Sequence, residues 1–112
     1  MTINAYMAVT GAPDAAQVAV VVHQALGGTR TFTGAGWQID GPDWYADVLA
    51  DPAPEPGEAP LLVVVWHESK EASQLHALIG RLFAFAARAT PWTLRTDSDL
   101  EPYAEQYRPT RA

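Results

Sequence analysis

The sequence predicts a two-layer α+β sandwich, and three features carry that expectation. Short apolar segments with period-two alternation or β-branched runs recur along the chain. Two longer segments carry helical periodicity. Glycine, proline and aspartate clusters punctuate between them, at spacings suited to strands and helices of ordinary length. The 112 residues fit one domain, with an apolar fraction of 48% and a charged fraction of 18%. That composition can bury a core and does not fit a disordered chain. A chain this long buries roughly two-thirds of its unfolded surface, so folding needs neither disulfide nor metal.

Residues 3–9 alternate Ile3, Ala5, Met7 and Val9 with Asn4, Tyr6 and Ala8, the pattern of a first strand. Residues 14–26 predict a helix: Pro13 suits a first turn, Asp14 favours the positive N-terminal end, and Gly27-Gly28 is a C-terminal stop. Val18 and Val20 to Val22 are β-branched and pull towards strand; the alanine-rich flanks and the glycine stop decide for helix. Residues 29–33 predict a strand, and Gly34-Ala35-Gly36 a turn. Residues 37–40 and 44–49 read as further strand, broken by Asp40-Gly41-Pro42-Asp43. Residues 51–60 hold Pro52, Pro54, Pro56 and Pro60, and read as an exposed, stiffened loop.

Residues 61–66 are a continuous run, Leu-Leu-Val-Val-Val-Trp, as expected of a central buried strand. Residues 69–89 predict the strongest helix. Leu75, Leu78, Ile79, Leu82, Phe83, Phe85 and Ala86 form a wide apolar surface, while Gln74, Arg81 and Arg88 form a polar stripe. Gly80 is read there as an allowance for close packing, and Pro91 as the helix stop. Residues 92–96 predict a last strand. Residues 97–107 read as a short C-terminal helix, with Ser98 and Glu101 at capping-box spacing, or else as an ordered tail anchored by Tyr103 and Tyr107. The resulting order, β, α, β(β), β, α, β, is matched to a ferredoxin-like split β-α-β sandwich (β-α-β-β-α-β) with an antiparallel sheet. Both helices then cover one face, and the other is left for water, a ligand or a second subunit. Tyr6, Trp66 and Trp92 are candidates for that open face. The pattern alone does not orient them, because a one-residue register shift swaps faces.

Charge gives the functional lead. The formal net charge is −6, and all of it lies in residues 40–58, where Asp40, Asp43, Asp47, Asp51, Glu55 and Glu58 occur without Lys or Arg. Trp44 and Tyr45 lie among these acids. Acids steer a basic partner over long range, and amphipathic rings supply contact area, so these eight residues form a candidate partner-binding surface. Such an acidic chain is a poor direct binder of nucleic acid or anionic membrane. No apolar run approaches the ~20 residues of a membrane span, and the first residues lack a secretory signal pattern. Cysteine is absent, which excludes thiol catalysis, disulfides and Cys-zinc sites and fits a cytoplasmic setting.

Catalytic patterns are not evident. Ser69, Ser73 and Ser98 do not lie in Gly-x-Ser-x-Gly, and the glycines have neither P-loop nor dinucleotide spacing. Asp40-Gly41-Pro42-Asp43 is no calcium loop. His67, Glu71 and His76 are candidates to converge where strand meets helix, at a spacing not diagnostic of metal ligation. No catalytic residue, metal or cofactor is assigned. The function expected is a non-catalytic protein-binding module, an immunity- or antitoxin-like inhibitor of a basic partner such as a nuclease. The alternatives are a small ligand-binding enzyme using His67 on a dimeric scaffold, and a structural subunit that homo-oligomerises through its open sheet face.

Overall fold

Alternation builds the first strand, β1 (Ile3–Thr10): Ala5, Met7 and Val9 are buried, while Asn4, Tyr6 and Ala8 are only half-buried. The computed structural model describes residues 3–33, 36–50, 61–68, 71–98 and 106–109. Helix α1 (Ala15–Leu26) starts at Asp14, whose Oδ1 accepts the Gln17 N–H at 2.9 Å. It stops at Gly27, where φ is 82° and the N–H is donated to the His23 carbonyl. Val18, Val21 and Val22 are buried along one side of it, so packing outweighs their modest helix propensity.

Three strands then form a meander: β2 (Thr29–Phe32), β3 (Trp37–Asp40) and β4 (Trp44–Ala50). Strand β5 (Leu61–His67), helix α2 (Ala72–Ala89), β6 (Thr93–Asp97) and the two-residue β7 (Tyr107–Arg108) complete the chain. The sheet order is β2-β3-β4-β5-β1-β6-β7, with every neighbouring pair antiparallel. Helix α1 packs over β3 and β4, α2 over β1, β5 and β6, and the helices touch each other. Met7, Ile39, Val63, Leu75, Ile79 and Leu94 are among the side chains sealed between the layers.

The α+β class holds, but the ferredoxin-like β-α-β-β-α-β expectation does not. Among the described residues there are seven strands, and four of them, not two, lie between the helices. The reason is local. At Gly36 an added Cβ would lie 2.1 Å from the Val48 carbonyl oxygen, so the bare backbone lets β3 close onto β4 as a strand of its own. The Gly41 N–H bonds to the Trp44 carbonyl and closes the next hairpin. The predicted C-terminal helix is also corrected at its ends: Asp97 belongs to β6, and Tyr107 begins β7, which pairs with β6. Residues 99–105 of that prediction, and the proline-rich loop over 51–60, lie outside the described residues. Gly80 has no atom within 4 Å of an added Cβ, so close packing is not why glycine stands there.

A carbonyl in the last turn of α2 and two just beyond the helix find their donor on β7. The Arg108 guanidinium donates through Nη1 to the Ala87 carbonyl at 2.6 Å, and through Nη2 to those of Thr90 at 2.8 Å and Trp92 at 2.6 Å. A cation at a helix C-terminus opposes the negative end of the helix dipole while satisfying orphan acceptors.

Candidate protein-docking face

Strand alternation decides which side chains reach the face that the helices leave open. In β4 and β5, Trp44, Ala46, Val48, Val63, Val65 and His67 turn towards the helices and are buried. Tyr45, Asp47, Leu49, Leu62, Val64 and Trp66 therefore line the open side, where they are half-buried. Cross-strand register sets them in rows. Tyr45 lies opposite Trp66, which lies opposite Asn4; Asp47 lies opposite Val64, which lies opposite Tyr6; Leu49, Leu62 and Ala8 form the third row.

The Tyr45 and Trp66 rings stack at 5.9 Å between centroids, inclined by 16°. The Trp66 Nε1–H donates to Asp47 Oδ2 at 3.2 Å. Gln38 lies opposite Asp47 across the strand pair and donates its amide to Asp40 Oδ1 at 2.9 Å. Burial pushes the Asp47 carboxyl above its ordinary range; the Trp66 bond opposes this, and the Asp40 charge adds to it. On the β6 side, the Tyr6 hydroxyl donates to Asp97 Oδ2 at 3.0 Å. An open cleft of about 240 Å³ adjoins the acids, lined by Thr33, Gly36, Trp37, Asp47, Val48 and Leu49. It is smaller than the ~300–1,000 Å³ usual for small-molecule pockets, and among the described residues Asp47 is the only ionisable group in its lining.

Of the eight residues singled out in the sequence, the structure brings Asp40, Tyr45 and Asp47 together on this face. Trp44 is not with them: it is only 7% exposed, belongs to the core and packs against Gly41. Asp43 lies in the β3–β4 turn, its Oδ2 3.7 Å from Nε2 of buried His67. Asp51, Glu55 and Glu58 lie outside the described residues. Trp66 and Tyr6, expected only as face candidates, are part of the surface, whereas Trp92 packs against the core.

His67, Glu71 and His76 do not assemble. His67 and Trp66 are adjacent in β5 and so point to opposite faces, which puts buried His67 on the helix side and away from the open face. His76 Nε2 lies 2.9 Å from Ser98 Oγ, and burial lowers its pKa. Glu71 Oε2 accepts from Gln74. Among the described residues, no three His, Asp or Glu side chains are grouped to hold a metal, and no helix is long and apolar enough to cross a membrane. Comparison with protein-family models, curated proteins and solved structures finds no match.

Proposed function

We propose that this chain is a non-catalytic binding module whose open sheet face docks a basic protein. In its fuller form, the chain is a cytoplasmic immunity- or antitoxin-like inhibitor of a cationic partner such as a nuclease. The observation that carries the reading is the joining of the Tyr45–Trp66 stack to the Asp40 and Asp47 carboxylates on a face neither helix covers. A guanidinium from the partner would lie over an indole or phenol face and donate its edge N–H groups to the carboxylate oxygens, using cation–π attraction and charge-assisted hydrogen bonds together. Leu49, Leu62 and Val64 provide the apolar ground around it, as at the centre of many interfaces. The net charge of −6 supports long-range attraction of a basic partner.

A pull-down from lysate of the source cells tests this, with wild type, Asp40→Asn/Asp47→Asn and Asp43→Asn as baits at low and near-physiological salt. One basic protein should be held by wild type and by Asp43→Asn and lost from the double variant. Retention by the double variant, or loss with Asp43→Asn alone, would reject this face as the docking site.

A further inference from the structure

Strand β2 is an outer edge of the sheet, and each of its residues, Thr29, Arg30, Thr31 and Phe32, is exposed. Phe32 is 63% exposed, more than any other large apolar side chain among the described residues. Its ring touches Trp37 on one side, at 5.4 Å between centroids, and meets solvent on the other. Natural edges are commonly guarded by lysine, proline or a bulge. Strand β2 has no lysine or proline, and its pairing with β3 runs without interruption over all four residues.

The hydrogen-bond phase of this edge follows from two bonds. The Thr33 N–H donates to the Gly36 carbonyl, and the Gly41 N–H donates to the Trp44 carbonyl. In an antiparallel pair, bonding residues alternate. The first bond directs the backbone groups of Thr29, Thr31 and Thr33 inwards to β3. The second directs those of Trp37 and Ile39 towards β4, leaving Gln38 and Asp40 to face β2, in agreement. Arg30 and Phe32 therefore turn their N–H and C=O groups outwards.

We propose that β2 pairs antiparallel with β2 of a second copy, about a two-fold axis at Thr31, making one sheet continuous across a dimer. This register places outward-turned Arg30 opposite outward-turned Phe32 of the other copy, with both N–H and C=O exchanged, and repeats the pair by symmetry. Arg30 and Phe32 lie on the same side of the strand, so each guanidinium meets the other copy's phenyl ring, a favourable cross-strand cation–π pair. Thr31 meets Thr31 on the opposite side. Centring the axis on Arg30 would set two guanidinium groups against each other. Centring it on Phe32 would leave half of the strand unpaired. Charge and backbone phase thus select one register. The two copies repel through their net charge of −6 each. Added salt screens that repulsion and tightens the dimer, the reverse of its effect on docking a basic protein.

Sedimentation velocity across a wide concentration range reads the association, with circular dichroism checking each fold. Wild type should dimerise reversibly, more so at high salt. Arg30→Pro deletes an outward N–H that the β2–β3 ladder does not use, and Phe32→Lys sets like charges opposite; each should weaken the dimer at least about tenfold. The Arg30→Glu/Phe32→Lys pair should restore it, because opposite charges then face each other. A wild type that stays monomeric at all concentrations would overturn the proposal. So would a dimer indifferent to Phe32→Lys, or one that the double exchange fails to rescue.

Discussion

Asp47 carries two opposed demands. Its place between Trp66 and Gln38 strips water from the carboxylate and raises its pKa, while the Trp66 Nε1–H holds the charged form. With the folded-state value above the ordinary 3.8, the folded protein binds this proton more tightly than the unfolded chain does. The unfavourable contribution therefore grows as pH rises from about 3.8 through the raised value, and acidification relieves it. Asp47→Asn keeps an acceptor for Trp66 and removes the charge. It should melt higher than wild type at neutral pH, with the gap closing on acidification, as thermal unfolding over a pH series would show. Gly41 is a second residue with little latitude. A Cβ there would fall 2.1 Å from Cε2 of the Trp44 indole, so Gly41→Ala should cost about 1–3 kcal/mol in urea unfolding.

Among the elements, α2 depends on a residue far along the chain. Arg108 holds the carbonyls of Ala87, Thr90 and Trp92 in one fork, tying β7 to the helix end. Arg108→Met should lower stability by about 1.5–3 kcal/mol, the scale of hydrogen bonds to a charged group. Arg108→Lys should recover little, because an ammonium lacks the planar fork; denaturant midpoints of the three proteins decide this. Most elements were legible in the sequence. Alternation marked β1, the Leu61–Trp66 run marked a central strand, and the Gly27 and Pro91 stops bounded the helices. The segments of β2, β3 and β4 were marked too, by the glycines before Trp37 and the break at residues 40–43; their standing as three full strands of one sheet was not, because it rests on the fit of Gly36 against Val48 and of Gly41 against Trp44. No local pattern reports those contacts. β7 was missed because its two residues gain their structure from the edge of β6 and the end of α2, both distant in sequence. The candidate site was half legible. The acids and rings were visible, but Trp44 and Tyr45 are neighbours on opposite faces, and only the register with β5 says which of them meets solvent.

At the scale of the whole molecule, two helices pack on one side of an antiparallel sheet and leave its other side uncovered by either. On that side lie the Tyr45–Trp66 stack and two carboxylates, in a chain of net charge −6. Attraction of a basic protein should therefore be fast at low salt and slow steeply with ionic strength. The four tryptophans are built-in reporters of where such a partner lands: Trp66 is on the open face, Trp44 and Trp92 pack with the core, and Trp37 lies beside the β2 edge. The decisive measurement is a titration of the isotopically labelled protein with an arginine-rich peptide, following the indole N–H resonances by NMR. The Trp66 signal should move saturably while Trp44 stays still, and Asp40→Asn/Asp47→Asn should abolish the shift. A Trp66 resonance that stays fixed while the peptide binds elsewhere would contradict docking on the open face.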